Sequence, residues 1–374
     1  MTTKQCVNQM GLVVAVLSCL RTNSKLTYNH LKTILRCLLA ALALMFVGQS
    51  AGGAFSSMYV FADSLSSTTN NVNGGTNYFG TRWCNGPVWV EYLARQQGIA
   101  YQDTNNTSGF GFNTAYLTNF VGAFPAKPDA TNSLFVVWAG VSDLFWAWVY
   151  NNTNDLPWAD SINQNMTNTA WIIQNLYSKG ARSLVLPTAV DIGAAPAFSA
   201  LPPESKAYLH QKAIQYNTAL SNLVSQSRVT LPALTIYSPD LFSEFESLLA
   251  NPAAYGFATT NIDALEDIAI ADKSTNGPGA NHIFWDTIHP TTKVQNLMAQ
   301  QVYLFMSPRF SNLIHTGTNS RLDLANLPIG ATFMLETSTN LVIWQTTLSL
   351  TATSALQTVN LQTNANRLFF RLKF

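Results

Sequence analysis

Three short stretches, "SLFVVWAG" at 133–140, "ARSLVLPT" at 181–188 and "ALTIYSPD" at 233–240, are apolar through their centres and bounded by turn residues. A run of that length without polar alternation suits a strand covered on both faces, the condition of a strand in a parallel sheet. Helical patterns stand between these runs. In "PVWVEYLARQQG" (87–98), Val88, Tyr92 and Arg95 share one face and Trp89, Leu93 and Gln96 the next. Pro87 suits the first helical position and Gly98 the stop. Residues 205–227 and 291–306 carry two further helical patterns. Such alternation from 57 to about 306 predicts a parallel sheet with helices on both faces.

After Pro308 the character changes. "ATFMLETSTNLVIWQTTLSL" and "LQTVNLQTNANRLFFRLKF" are rich in Thr, Val, Leu and aromatic residues with period-two stretches, which predicts a small all-β module. A linker is expected within 307–321, and Trp344, Phe369 and Phe370 are expected to fill the β core.

The 374 residues exceed one average domain, and an apolar share of 47% is ample for a core. Charged residues are only 10% and the net charge is +1, with no run of Lys or Arg. Phosphate binding needs clustered cations, so nucleic acid is not an expected partner.

Lys32 and Arg36 precede "CLLAALALMFV" (37–47), and small residues follow at Gly48, Ser50, Ala51, Gly52 and Gly53. The pattern is that of a signal peptide cleaved around 50–54, with an uncleaved anchor as the alternative. Cys6, Cys19 and Cys37 would leave with this leader. Cys84 alone would remain, which excludes an internal disulfide and cysteine-based zinc sites from the mature chain.

In "MYVFADSLSS" (58–67) a strand-like run ends in small polar residues, so Ser64 can be a hydroxyl at a strand end or a turn serine. A nucleophilic serine needs a base, and the base needs an acceptor for its other ring nitrogen. "FWDTIHPTT" (284–292) offers Asp286 and His289 three residues apart. Pro290 biases His289 out of helical geometry and suits the first position of the following helix. Helix capping by His289 beside a solvated Asp286 is the competing reading. Of the five histidines, His30 lies in the leader. His210 sits in a Lys- and Gln-rich helix and is expected to be solvated, and His315 lies near the domain link. His282 has no acid preceding it within reach. Donors for a developing oxyanion could come from Gly109 and Gly111 in "NNTSGFGFNTAY" (105–116) or from Gly140 and Ser142 in "WAGVSDLFW" (138–146).

These segments, in order, resemble the GDSL branch of the SGNH hydrolases. "FADSLS" is similar to the first block, with Ala62 where glycine is usual; "GFG" falls at the second; "VVWAGVSDL" is similar to the third; "DTIHP" matches the last. "WCNGPVWVEYLA", "GARSLVLPTAVDIGAAPA" and "NPAAYGF" add further similarity, so the resemblance spans roughly 57–306. It implies a three-layer α/β/α, flavodoxin-like fold over 55–311, between a leader (1–54) and a small β domain (312–374). It implies a serine ester hydrolase working without metal or organic cofactor on a small-molecule or lipid ester. Ser64 would be the nucleophile, His289 the base and Asp286 its orienting acid. The N–H groups of Ser64 and Gly111 would bind the oxyanion, with Gly109 the fallback. The family's third donor is an asparagine side chain; Ser142 stands there, and Asn113 is a candidate substitute. The terminal pieces "LETSTNLVIWQ" and "RLFFRLKF" resemble small β domains appended to exported bacterial enzymes, which implies secretion or surface attachment. Two other functions stay open: a catalytically weakened surface or glycan-binding protein, and a polysaccharide acetylesterase.

Overall fold

A computed structural model describes residues 55–373 apart from 73, 259–261, 317–318, 328–330 and 363–367. The expected leader lies outside the described residues. The chain divides into two compact units, one ending at Arg309 and the other beginning at Phe310.

The first unit is built on five parallel strands: β1 (Met58–Asp63), β2 (Asn106–Gly109), β3 (Leu134–Trp138), β4 (Ser183–Val185) and β5 (Thr235–Tyr237). Their order is β2-β1-β3-β4-β5. All residues of β1 and β3 are buried, and Val60 pairs with Val136 at the centre of the sheet. Parallel neighbours require crossovers, and helices supply them. They are α1 (Trp89–Gln96), α2 (Thr114–Ala123), α3 (Gly140–Asn151), α4 (Asp155–Ser178), α5 (Pro203–Thr230), α6 (Leu241–Ala250) and α7 (Thr292–Met306). Helix α1 packs on α7, whereas α2, α3, α4 and α5 pack among themselves. The result is a three-layer α/β/α fold. The chain leaves β1 for β2 on one side and later returns to β3 on the other. The C-terminal ends of β1 and β3 therefore form the switch point where open α/β sheets place their sites.

Four fully buried tryptophans anchor this unit, and each indole N–H has a partner. Trp89 Nε1 donates to Ser66 Oγ at 2.9 Å, just beyond β1. Trp285 Nε1 donates to the Asn77 carbonyl at 2.9 Å, and Trp138 Nε1 to that of Thr188 at 3.1 Å. Trp158 Nε1 donates to the Asn152 carbonyl. The first two bonds tie the switch-point loops to the core.

Two helix starts differ from expectation. Helix α1 begins at Trp89, because Val88 occupies its N-cap and the Glu91 carboxylate accepts the Val88 N–H at 2.8 Å; Pro87 therefore stands outside. Pro290 is not the first residue of α7. It pairs with Phe284 in an isolated antiparallel bridge, and Thr291 holds the N-cap position while its hydroxyl donates to the His282 carbonyl. Gly98 does end α1, at φ +70°, where a side chain would be strained.

The second unit contains β7 (Asn319–Ala325), β8 (Thr332–Ser338), β9 (Gln345–Thr351), β10 (Gln357–Gln362) and β11 (Phe369–Lys373). The strand β6 (Arg309–Thr316) spans most of the expected linker, so 307–321 is largely sheet. Two three-stranded sheets, β10-β7-β6 and β11-β8-β9, form the module. Its core includes Leu322, Leu324, Phe333, Leu335, Val359 and Leu361, with Phe370 packed against it. Trp344 is not in that core. It follows an exposed turn, and the Arg371 guanidinium lies 4.4 Å over its ring, a cation–π contact at the rim.

Candidate active site

Strand β1 delivers Ser64 to the switch point, where a single 3-10 turn, Ser64–Ser66, follows it. Asp63 caps this turn by accepting the Leu65 N–H at 3.0 Å. The turn closes through Ser67 N–H donating to the Ser64 carbonyl at 3.2 Å. Ser66 is held by Trp89, so the backbone that carries the Ser64 hydroxyl is fixed on both sides.

The opposing segment, 284–292, folds back on itself. Trp285 N–H donates to the His289 carbonyl at 2.7 Å, and Thr291 N–H to that of Ile283 at 2.9 Å. Within this hairpin-like loop Asp286 Oδ1 accepts the backbone N–H of Ile288 at 2.9 Å and of His289 at 2.7 Å. The His289 ring then lies with Nδ1 2.8 Å from Asp286 Oδ2, and its Nε2 is 2.9 Å from Ser64 Oγ. A carboxylate only accepts, so Nδ1 carries the proton toward Asp286. In the neutral ring Nε2 is left to accept from the Ser64 hydroxyl. The structure thus brings Ser64, His289 and Asp286 into one hydrogen-bonded line.

Three aromatic residues that sequence reasoning missed enclose this line. Tyr78 donates its hydroxyl to Asp286 Oδ2 at 3.0 Å. Trp83 stacks on the His289 ring with centroids 5.3 Å apart and planes 22° apart. Phe110 approaches the same ring at 6.0 Å. Arg82, forked onto Glu91 of α1 at 2.7 and 2.9 Å, fixes the loop that carries Trp83. These residues stand in aperiodic loops, so no spacing in the sequence marks them. Burial by itself would raise the Asp286 carboxyl. The charge of His289 and the hydrogen bonds from His289 and Ile288 outweigh it and hold the group below its ordinary value. Burial and the nearby Asp286 push the Tyr78 hydroxyl up, keeping it a donor.

On the other side of Ser64, Gly111 and Ser142 line the same depression as Ser64, whereas Gly109 ends β2 paired with Asp63. Gly111 sits at φ +71°, and Trp146 Nε1 donates to its carbonyl at 2.9 Å, which turns the peptide. Asn113 is occupied as the N-cap of α2, accepting the Tyr116 N–H at 3.2 Å. Ser142, buried in the first turn of α3, has its N–H and hydroxyl near the Asp63 carboxyl. Neither reaches Asp63 Oδ2 in good hydrogen-bond geometry. Burial accordingly pushes Asp63 up to about 7, against the opposing pull of the Leu65 N–H and His289. Asp143, next to Ser142, is pushed up to about 6 by burial. It accepts from the Thr114 N–H and hydroxyl at 3.0 Å each and from Tyr216 at 2.9 Å, and so joins α3 to α2 and α5.

Two histidines behave differently from expectation. His282 does have an acid: its Nε2 meets Asp267 Oδ2 at 3.0 Å, across a loop that no helical spacing predicts. His210 is not simply solvated, since its Nδ1 lies 3.0 Å from Asp191 Oδ2. Neither ring bonds to a serine. His315 lies against Ser320 Oγ at 3.0 Å, within the second unit.

A parallel five-stranded sheet with a serine at the end of its first strand, facing an imidazole and a carboxylate, defines a broad class of α/β/α proteins. Within it the chain belongs to the GDSL-like lipase/acylhydrolase family, whose match runs over residues 58–302. It is a carboxylic ester hydrolase of that family. A GDSL esterase/lipase of Arabidopsis thaliana is 24% identical over 318 residues, covering 67% of this chain and 82% of the relative. A second from the same plant is 24% identical over 330 residues, covering 70% and 93%. Among solved structures, an acetyl xylan esterase of Geobacillus stearothermophilus aligns at TM-score 0.41 and 14% identity over 68% of this chain and 95% of its own.

Proposed function

We propose that this ester hydrolase works through an acyl-enzyme on Ser64. The observation that carries the reading is the 2.9 Å contact between Ser64 Oγ and His289 Nε2, with Nδ1 of the same ring held by Asp286. Ser64 Oγ attacks the ester carbonyl carbon and passes its proton to Nε2. The carbonyl electron pair moves to oxygen, which the N–H groups of Ser64 and Gly111 stabilise. Collapse expels the alkoxide, which takes the proton from His289 and leaves as the alcohol. Water then repeats the sequence, giving its proton to Nε2 and its hydroxyl to the acyl carbon; the bond from that carbon to Ser64 Oγ breaks, and Oγ takes the proton back from His289 as the acid leaves. Asp286 keeps the ring oriented and stabilises the imidazolium.

Labelling with a fluorophosphonate tests this. The folded wild-type protein should form a covalent adduct at Ser64, and Ser64→Ala should lose both the adduct and the hydrolysis of an aryl ester. Hydrolysis that persists in Ser64→Ala would sink the reading, and a folded wild type that takes no label would favour the binding alternative.

We also propose that the enzyme is exported and that the terminal β module holds it at the cell surface. The pattern of 32–54 supports export. N-terminal sequencing of the mature protein checks it, with a new terminus near 50–54 expected.

A further inference from the structure

Beyond Ser64 the depression continues as a well. Its walls come from separate segments: Val141 and Phe145 of α3, Ile192 and Phe198 after β4, Phe245 of α6, and Met298 of α7. Edge-to-face contacts pair Phe145 with Phe198 at 6.3 Å and Phe245 with Phe284 at 5.8 Å, which fixes the walls. Among the polar lining residues, Asp63, Ser64 and Ser142 belong to the switch point, and the fourth, Asp191, is engaged. Its oxygens accept from the Gly193 N–H at 2.8 Å and meet His210 at 3.0 Å. The interior of the well therefore offers carbon to a ligand, and little else.

A second, smaller and mostly apolar pocket adjoins the first, lined among others by Leu241, Leu248, Val294 and Leu297. Phe245 and Met298 line both. These two side chains are the partition between the pockets.

We propose that the well receives the acyl chain of the ester, that the preferred chain is aliphatic and longer than acetyl, and that Phe245 and Met298 set its length limit. This rests on the reading of Ser64 as nucleophile. His289 must protonate the departing alcohol, and its ring, set against Trp83 and Phe110, is not part of the wall, to which that segment contributes Ile288 and Pro290. The alcohol therefore leaves on the histidine side, and the acyl group bonded to Oγ takes the well. An acetyl group would leave most of the apolar wall in contact with water. Each further buried methylene contributes roughly fourfold in kcat/KM, the equivalent of about 0.8 kcal/mol.

The test is a nitrophenyl ester series from acetate through butyrate, hexanoate and octanoate to decanoate and laurate. The wild type should show kcat/KM rising from acetate by at least about thirtyfold before it falls at a longer chain. Phe245→Ala, which merges the two pockets, should move that fall to longer chains; Phe245→Leu and Met298→Ala should move it less. Acetate as the best substrate, or an unchanged profile in all three variants, overturns the proposal. Calorimetry on Ser64→Ala gives a readout without turnover: octanoate should bind more tightly than acetate by a similar factor. Tighter octanoate binding in a protein that hydrolyses no ester would sink the nucleophile and keep the well. Hydrolysis restricted to acetate would do the reverse.

Discussion

The two sides of Ser64 each hold a carboxyl, Asp63 buried and Asp286 partly buried, and they are built in opposite ways. Asp286 collects two backbone N–H groups, the His289 ring and the Tyr78 hydroxyl. Asp63 accepts the Leu65 N–H on one oxygen, and its other oxygen has no hydrogen bond of good geometry. Burial pushes both groups up. Donors and the charge of His289 reverse that push at Asp286, whereas at Asp63 burial prevails and the group reaches about 7. Burial therefore does not decide the charge of a carboxyl in this site. The adjacent His289 and the donors that meet the carboxyl do.

The largest effects should come from the donor-rich side. His289→Ala should lower kcat/KM by about 10⁴-fold or more, as should Ser64→Ala, and the double variant should be little worse because the two act as one unit. Asp286→Asn should cost about 10³–10⁴-fold, since an amide can hold the ring in the wrong tautomer. Steady-state kinetics on one aryl ester measures both. A loss below tenfold for Asp286→Asn would mean that the four donors merely fold the loop.

The donor-poor side should show itself in stability. The native Asp63 carboxyl binds its proton more tightly than the ordinary value of 3.8, up to about 7. Between those values the native state holds more protons than the unfolded chain, so this group makes stability fall as pH rises. Asp286 has the opposite sign: its stabilisation is present above the ordinary value and is lost as pH falls through the depressed one. Asp63→Asn keeps an acceptor for the Leu65 N–H and cannot ionise. Urea midpoints should therefore show the variant gaining on the wild type as pH rises across that window. The expected gain is on the order of 1–3 kcal/mol. Parallel curves for the two proteins would show that Asp63 is not perturbed.

How legible each side was in the sequence follows the same division. Strands β1 and β3 are apolar without interruption over residues 58–62 and Leu134–Trp138, so their runs announce them. Strands β4 and β5 pair over only three residues each, and the apolar stretches that mark them overstate their length. Asp286 and His289 are close in sequence and meet through local turns, which made the pair readable. Tyr78 reaches Asp286, and Trp83 and Phe110 reach the His289 ring, from loops distant in sequence, and His282 meets Asp267 across an irregular loop. Contacts of that kind have no period to detect. Pro290 was legible as a helix breaker, but its place in a bridge with Phe284 depends on the Asp286 turn that precedes it.

Ser142 is where the comparison can be sharpened with the smallest effect. The related family carries an asparagine there, whose amide can donate to an oxyanion while its carbonyl accepts elsewhere. A serine has one proton. Ser142 is buried beside the Asp63 carboxyl without a hydrogen bond of good geometry to its second oxygen, and the ionised carboxyl would compete with an oxyanion for that one proton. Ser142→Ala should therefore reduce kcat less than tenfold, against the 10²–10³-fold expected for loss of a working oxyanion donor. The effect should grow on the acid side of about 7, where a protonated Asp63 no longer competes for the hydroxyl. Comparing kcat for the two proteins across pH on one ester reads both points. A loss of a hundredfold or more, independent of pH, would place the Ser142 hydroxyl on the oxyanion and make the two sides of Ser64 equally engaged in the chemistry.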